Sequence, residues 1–215
     1  MSILGCALII LSGNIQANYK LGKDFGSLAR PLPVKQDGVV EVIEVFWYGC
    51  GHCFNLAPAV SSWSKKKDSS VNFRKMPVTW GPVHQLHAKL FYTIEALGIG
   101  ETGHTAVFTA IHKEGNFLSS DGAILDFLEK LGMDRSETIK YMNSFSVRQK
   151  VKRAIEISKQ FKVTATPMMF VDGQYRVEAK GGSSKMLKVV DHVIELQKPI
   201  SLSLIHISEP TRRYS

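Results

Sequence analysis

The chain has 215 residues, of which 44% are hydrophobic and 21% charged, and a formal net charge of +8. That composition excludes general disorder and a collagen-like chain, and the length is enough to bury a core. Three cysteines are too few for a disulfide-rich scaffold, and no apolar run reaches the ~20 residues that span a bilayer.

Residues 1–17 carry no charge and hold an apolar run from Ile3 to Leu11. They read as a signal peptide for export, with Ala17 at the cleavage site and the basic segment that usually precedes such a run missing. The third cysteine, Cys6, falls inside this segment, so the remaining chain keeps only Cys50 and Cys53.

Val39 to Tyr48 is β-branched and aromatic between Asp37-Gly38 and Gly49, which predicts a buried strand. Gly51 to Lys66 follows as a helix with Leu56, Val60 and Trp63 at helical spacing, and Val71 to Val78 is a second strand. From residue 80 to residue 154 the pattern is helical. Leu86, Leu90, Ile94 and Leu97 form one stripe, stopped by Gly98. Phe108 and Ile111 predict a short helix. Ile124, Leu128 and Leu131 mark another, begun near Ser120 and stopped by Gly132, and Ser136 is expected to cap one through Tyr141. Val147, Val151, Ala154, Ile155 and Phe161 line a longer helix. Met168 to Val171, the turn Asp172-Gly173 and Gln174 to Val177 predict a hairpin, and Lys185 to Lys198 a closing amphipathic helix.

The last stretch, Leu202 to Arg212, reads LSLIHISEPTR. It matches the translation of a transposase-type sequencing adapter. Residues 201–215 are therefore expected to be foreign to the native protein, whose natural C-terminus would be lost somewhere near Ile200.

The chemistry is concentrated in Cys50-Gly51-His52-Cys53, at a strand-to-helix junction. A cysteine at a helix start feels the positive end of the macrodipole and the free backbone N–H groups, which favour thiolate. His52 can favour it further. A lowered pKa makes Cys50 both nucleophile and leaving group, and Cys53, one turn inside, can resolve a mixed disulfide. The competing reading of a CxxC is half of a zinc site. A second CxxC is absent, and His84 and His87, three apart, are the only nearby completion. Solvated or core helix faces account for that pair better, so no metal is expected.

The segment VFWYGCGHCFNLAP resembles the active-site segment of the thioredoxin superfamily. Over 18–198 the chain resembles DsbA-type thiol:disulfide oxidoreductases. The resemblance implies an α/β thioredoxin-like fold, formed by 18–79 and 155–200, with a helical domain inserted at 80–154. Pro58, five residues after Cys53, falls where such helices often carry a proline. Thr166-Pro167 resembles the cis-proline loop that faces the cysteines and pairs with substrate. Glu44, an acid in an apolar strand, resembles the family's buried carboxyl, and Lys75 falls where its partner is placed. A carboxyl beside two sulfurs can move a proton as thiolate is exchanged. Left to the residues alone, Glu44 could also point outward and Lys75 be simply solvated.

Two positions depart from many DsbA sequences. Gly51-His52 is the dipeptide of protein disulfide isomerase, and Thr166 is the residue that bacterial isomerases often carry before the proline. The resemblance implies a monomeric periplasmic enzyme that donates the Cys50–Cys53 disulfide to reduced, unfolded exported proteins. It implies reoxidation by a DsbB-like membrane quinone reductase and no bound cofactor. An isomerase or reductase of the same fold is the alternative, followed by a non-enzymatic zinc- or peptide-binding module. Lys65-Lys66-Lys67 and the basic helix from Lys150 to Lys162 have no aromatic interleaving, so nucleic acid is not an expected partner. Met168 and Met169 read as strand core, not as copper ligands.

Overall fold

The computed structural model describes residues 19–33 and 37–198. The expected signal segment and the stretch 201–215 lie outside them. A five-stranded mixed sheet has the order β1-β5-β4-β2-β3, from β1 (Gly26–Ser27), β2 (Val40–Phe46), β3 (Val71–Pro77), β4 (Met168–Val171) and β5 (Tyr175–Glu178). β2 and β3 are parallel, joined across α1 (Gly51–Ser64), as a parallel pair requires a crossover. β4 runs antiparallel to β2 and to β5. The two-residue β1 at the edge has too little pattern to be foreseen.

β2 is central, and its period of two divides the core. Val42 joins Met169, Val171 and Val177 under α1 and α7 (Ser183–Gln197), where Leu56, Val60, Met186 and Val190 are buried. Ile43 and Val45 join Met168 and Phe170 against Ala154 and Ile157 of α6 (Phe145–Gln160) and its C-cap Phe161. Met168 and Met169 are both buried, one on each face. Phe46, at the end of β2, instead enters a third cluster with Cys53 and the helical block.

That block contains α2 (Pro82–Ala96), α3 (Gly100–His112), α4 (Asp121–Lys130) and α5 (Arg135–Met142), and passes directly into α6. α6 runs unbroken across position 154, so the helical segment and the sheet domain share one helix. No helix among the described residues is long and apolar enough to cross a membrane.

Several expectations are corrected. The helix marked by Phe108 and Ile111 is not short. It has 13 residues, and its first turns hold glycine and threonine where apolar marks would be. Ser136 does not cap α5. Asp134 does, its carboxylate accepting the Glu137 N–H at 2.8 Å and the Ser136 hydroxyl at 2.6 Å. Leu131 is an exposed C-cap, and Phe127 is buried in its place. Ile155 is half-buried, while Ile157 reaches the core.

Candidate active site

After Phe46 the chain turns through Trp47, Tyr48 and Gly49 into α1. The Cys50 N–H donates to the Trp47 carbonyl at 3.0 Å, and the Phe54 N–H to the Cys50 carbonyl at 3.0 Å. Glycine at position 49 makes room for the Trp47 ring, which would lie 2.5 Å from a Cβ there and would have to shift. Cys50 is the N-cap of α1, extended at φ −89° and ψ 113°, and its sulfur accepts the Cys53 backbone N–H at 3.4 Å. The nucleophile candidate is thus itself the capping acceptor at the positive end of the helix dipole. Pro58 lies within α1 and is exposed.

Both cysteines are free thiols, Cys50 half-buried and Cys53 fully buried. They are strongly unlike. The Cys53 thiol hydrogen-bonds to Cys50 and lowers its pKa most. Burial opposes, and the Thr166 side chain and the backbone N–H groups of Cys53 and His52 add to the lowering, which takes Cys50 from 9.0 to about 5. The same hydrogen bond to Cys50, together with burial, pushes Cys53 far above the ordinary thiol range. At neutral pH the exposed edge of the pair carries a thiolate and the inner sulfur keeps its proton.

The Thr166–Pro167 peptide is cis. The Thr166 carbonyl faces Cys50 and can accept its thiol hydrogen at 3.5 Å. His52 is exposed beside Gly51 at the mouth of the site, and its backbone N–H, not its ring, supports Cys50.

Glu44 and Lys75 are paired in register on β2 and β3. Glu44 is 2% exposed, and its Oε2 has no hydrogen-bond partner among the described residues. Burial raises its pKa from 4.5 to about 7 against the opposing pull of Lys75. The Lys75 ammonium does not bond Glu44. It donates to Glu101 Oε2 at 2.7 Å.

Three histidines from the helical block also reach the site. His112 Nε2 donates to the Tyr48 carbonyl at 2.7 Å, and its ring stacks on Phe54 with centroids 4.8 Å apart. His104 Nδ1 pairs with the Tyr48 hydroxyl at 3.1 Å, and burial lowers its pKa to about 3, so it is neutral. His87 accepts the Trp47 indole N–H on Nδ1 at 3.2 Å and donates from Nε2 to the Phe117 carbonyl at 3.1 Å. Both nitrogens of His87 are therefore committed to the fold, while the His84 ring packs 4.4 Å from Trp47. Sequence reasoning missed His104, His112 and Glu101. His104, Phe108 and His112 fall at i, i+4 and i+8 on one helix face, which was the available signal.

Residues 41–193 match the model of a DSBA-like thioredoxin domain. The chain is 36% identical over 183 residues to the thiol:disulfide interchange protein DsbA of Pseudomonas aeruginosa, covering 84% of this chain and 87% of that protein. It is 40% identical over 180 residues to DsbA of Burkholderia cepacia, covering 82% and 85%. The crystal structure of P. aeruginosa DsbA aligns with a TM-score of 0.79 at 37% identity, covering 83% of this chain and 94% of the other. Reduced DsbA1 of Neisseria meningitidis aligns at 0.73 and 26% identity, covering 85% and 98%.

Proposed function

The chain belongs to the DSBA-like thioredoxin family and is a thiol:disulfide oxidoreductase, and from that premise we propose that it donates a Cys50–Cys53 disulfide to reduced, unfolded exported proteins in the periplasm. A substrate thiolate attacks Cys50 Sγ in the oxidised enzyme. The Cys50–Cys53 bond breaks, Cys53 leaves with the electron pair and takes up a proton, and a mixed disulfide joins substrate to Cys50. A second substrate thiolate attacks the substrate sulfur, the mixed disulfide breaks, and Cys50 leaves as thiolate. Substrate is oxidised by two electrons and the enzyme ends as the dithiol.

The observation that carries this reading is the asymmetry of the two sulfurs. A good leaving group is a stable thiolate, and Cys50 titrates near 5 while Cys53 stays a thiol. Release of product from Cys50 is thereby favoured, and so is the reduced form over the disulfide. Cys53, the first leaving group, needs a proton at once. Glu44, raised to about 7 by burial and so still partly protonated at neutral pH, is the group we assign to supply it, with Lys75 tuning it. Gly51 leaves Cys50 open to a polypeptide, His52 flanks that opening, and Thr166-Pro167 receives the substrate backbone.

The disulfide is the whole redox apparatus, so no bound cofactor is required. Reoxidation falls to a DsbB-like membrane quinone reductase, and a monomer suffices because every group named lies on one chain.

Cys50→Ser is expected to abolish oxidation of a reduced model protein, and Cys53→Ser, given a disulfide-bearing model protein, to accumulate the mixed disulfide that the Cys50 thiolate forms by breaking that disulfide. Oxidation by Cys50→Ser at the wild-type rate would overturn the proposal.

A further inference from the structure

The two strands that carry Glu44 and Lys75 bring them side by side, yet they do not pair, and an element outside the sheet accounts for it. Glu44 sits between Val42 and Phe46, the β2 residues that face α1 and the helical block. Its neighbour on β4 is Met169, and on β3 it is Lys75. From above, α1 buries Cys53, Leu56, Val60 and Trp63, and α3 brings Glu101 and His104. The charged groups that act on Glu44 are Lys75 and Glu101, with His104 beside that pair, and only Lys75 carries positive charge. A lysine stem on the adjacent strand would ordinarily fold onto a buried carboxylate, because an unpaired buried charge is costly. Here the ammonium is turned to Glu101 at 2.7 Å, with the Lys75 side chain only 11% exposed. Glu44 Oε2 is left without a partner among the described residues.

We infer that Glu101 is a positioning residue: it holds the Lys75 ammonium out of hydrogen-bond reach of Glu44 and thereby favours the protonated form of the buried carboxyl. The Ser61 hydroxyl of α1 adds a smaller pull toward the ionised form of the same carboxylate. Burial alone would raise the pKa of Glu101, but the hydrogen bond and charge of Lys75 outweigh it, so Glu101 is the ionised member of the pair. A cleft of about 410 Å³ along β3 is lined by Lys75, Glu101 and His104, which gives this cluster contact with solvent. The helical block therefore sets the protonation of an acid that belongs to the sheet.

The inference rests on the assignment of Glu44 to proton transfer only for its consequence, and the experiment separates the two. The carboxyl titration of Glu44 in the reduced protein is followed by carbon NMR of 13C-glutamate, with Glu44→Gln to assign the signal. In Glu101→Gln, Lys75 is free to turn to Glu44, and the midpoint is expected to fall by about one pH unit or more. In Lys75→Met the midpoint rises. The double variant Glu101→Gln/Lys75→Met is expected to fall below Lys75→Met by much less than Glu101→Gln falls below wild type, because the direct charge of Glu101 is the smallest of the three causes acting on Glu44. An unmoved midpoint in Glu101→Gln would overturn the inference. So would an equal fall in the Lys75→Met background, which would reduce Glu101 to a bare negative charge. The pH profile of mixed-disulfide formation, read on the same variants, reports separately. If the Glu44 midpoint moves and that profile does not, Glu101 positions Lys75 as inferred and Glu44 is not the proton donor.

Discussion

The depressed pKa of Cys50 ties the stability of the reduced protein to pH, and the oxidised protein supplies the reference. Cys50 ionises near 5 when folded and at 9.0 when unfolded. The unfolded chain therefore binds more protons in between, so ionisation stabilises the folded dithiol fully above pH 9 and not at all below pH 5. At pH 7 the two units separating pH from the folded pKa are worth about 2.7 kcal/mol. Cys50 is half-exposed and water screens it, so the expected contribution is about 1–2 kcal/mol. The disulfide form has no thiol at this position and gains nothing.

Other groups in the interior do not confuse the comparison. Glu44 has the opposite sign. Its folded pKa is raised from 4.5 to about 7, so its contribution is present below pH 4.5 and lost as pH rises through 7. It is present in both redox forms, as is His104, and repeating the comparison in Glu44→Gln removes from the difference whatever part of Glu44 titration changes with redox state. Cys53 is raised, so its contribution is constant below pH 9.0. Urea unfolding of reduced and oxidised protein at pH 5 and pH 7 reads the gap directly. The reduced form is expected to gain about 1–2 kcal/mol on the oxidised form between the two pH values. Reduced Cys50→Ala should show no such gain. A change smaller than about 0.5 kcal/mol in the wild-type gap, within the error of extrapolation, would refute the thiolate argument.

Thr166→Val removes a side chain that lowers Cys50, and should raise its pKa by about half a unit to one unit, read from thiolate ultraviolet absorbance against pH. His87→Phe leaves the Trp47 indole N–H without its acceptor and should cost about 1–3 kcal/mol in denaturant unfolding, with the cysteine titration unchanged. Gly49→Ala forces a Cβ against the Trp47 ring and should destabilise by about 1–3 kcal/mol while slowing oxidation of a reduced substrate, because the turn that places Cys50 must shift.

The cysteine motif was legible because its signals are local. A β-branched run, a glycine and a CxxC on a helical pattern together describe a strand feeding a helix N-terminus, and the structure has that arrangement. β2 and α1 were readable for the same reason. α3 was less so, since Gly100, Gly103, Thr105 and Thr109 dilute its apolar stripe. Gly103 has a structural cause: a Cβ there would lie 2.8 Å from Ile94, so α2 and α3 approach too closely for one. The cap of α5 was misplaced because Asp134 and Ser136 are both good caps, and the choice depends on which carboxylate or hydroxyl reaches the Glu137 N–H. The Lys75 partner was beyond local reasoning altogether. Glu101 is 26 residues away on a separate helix, and nothing at either position records the other.

The histidines of α3 extend that point from one residue to the whole helix. Tyr48, two residues before Cys50, is held at its carbonyl by His112 and at its hydroxyl by His104, one end of the ring and the other end of the residue fixed by a single helix. Phe54, the residue after Cys53, lies under the His112 ring. Glu101, one turn before His104, holds Lys75 away from Glu44. The sheet and α1 supply the sulfurs and the acid, as the thioredoxin-like part of the chain must. α3 supplies the contacts that hold Tyr48 and Phe54 on either side of the cysteine pair and the carboxylate that takes the Lys75 ammonium. A change on the buried face of α3 should therefore disturb redox chemistry without touching either cysteine, whereas α4 and α5 reach Cys53 only by packing in a shared cluster, so a change there should act mainly on stability.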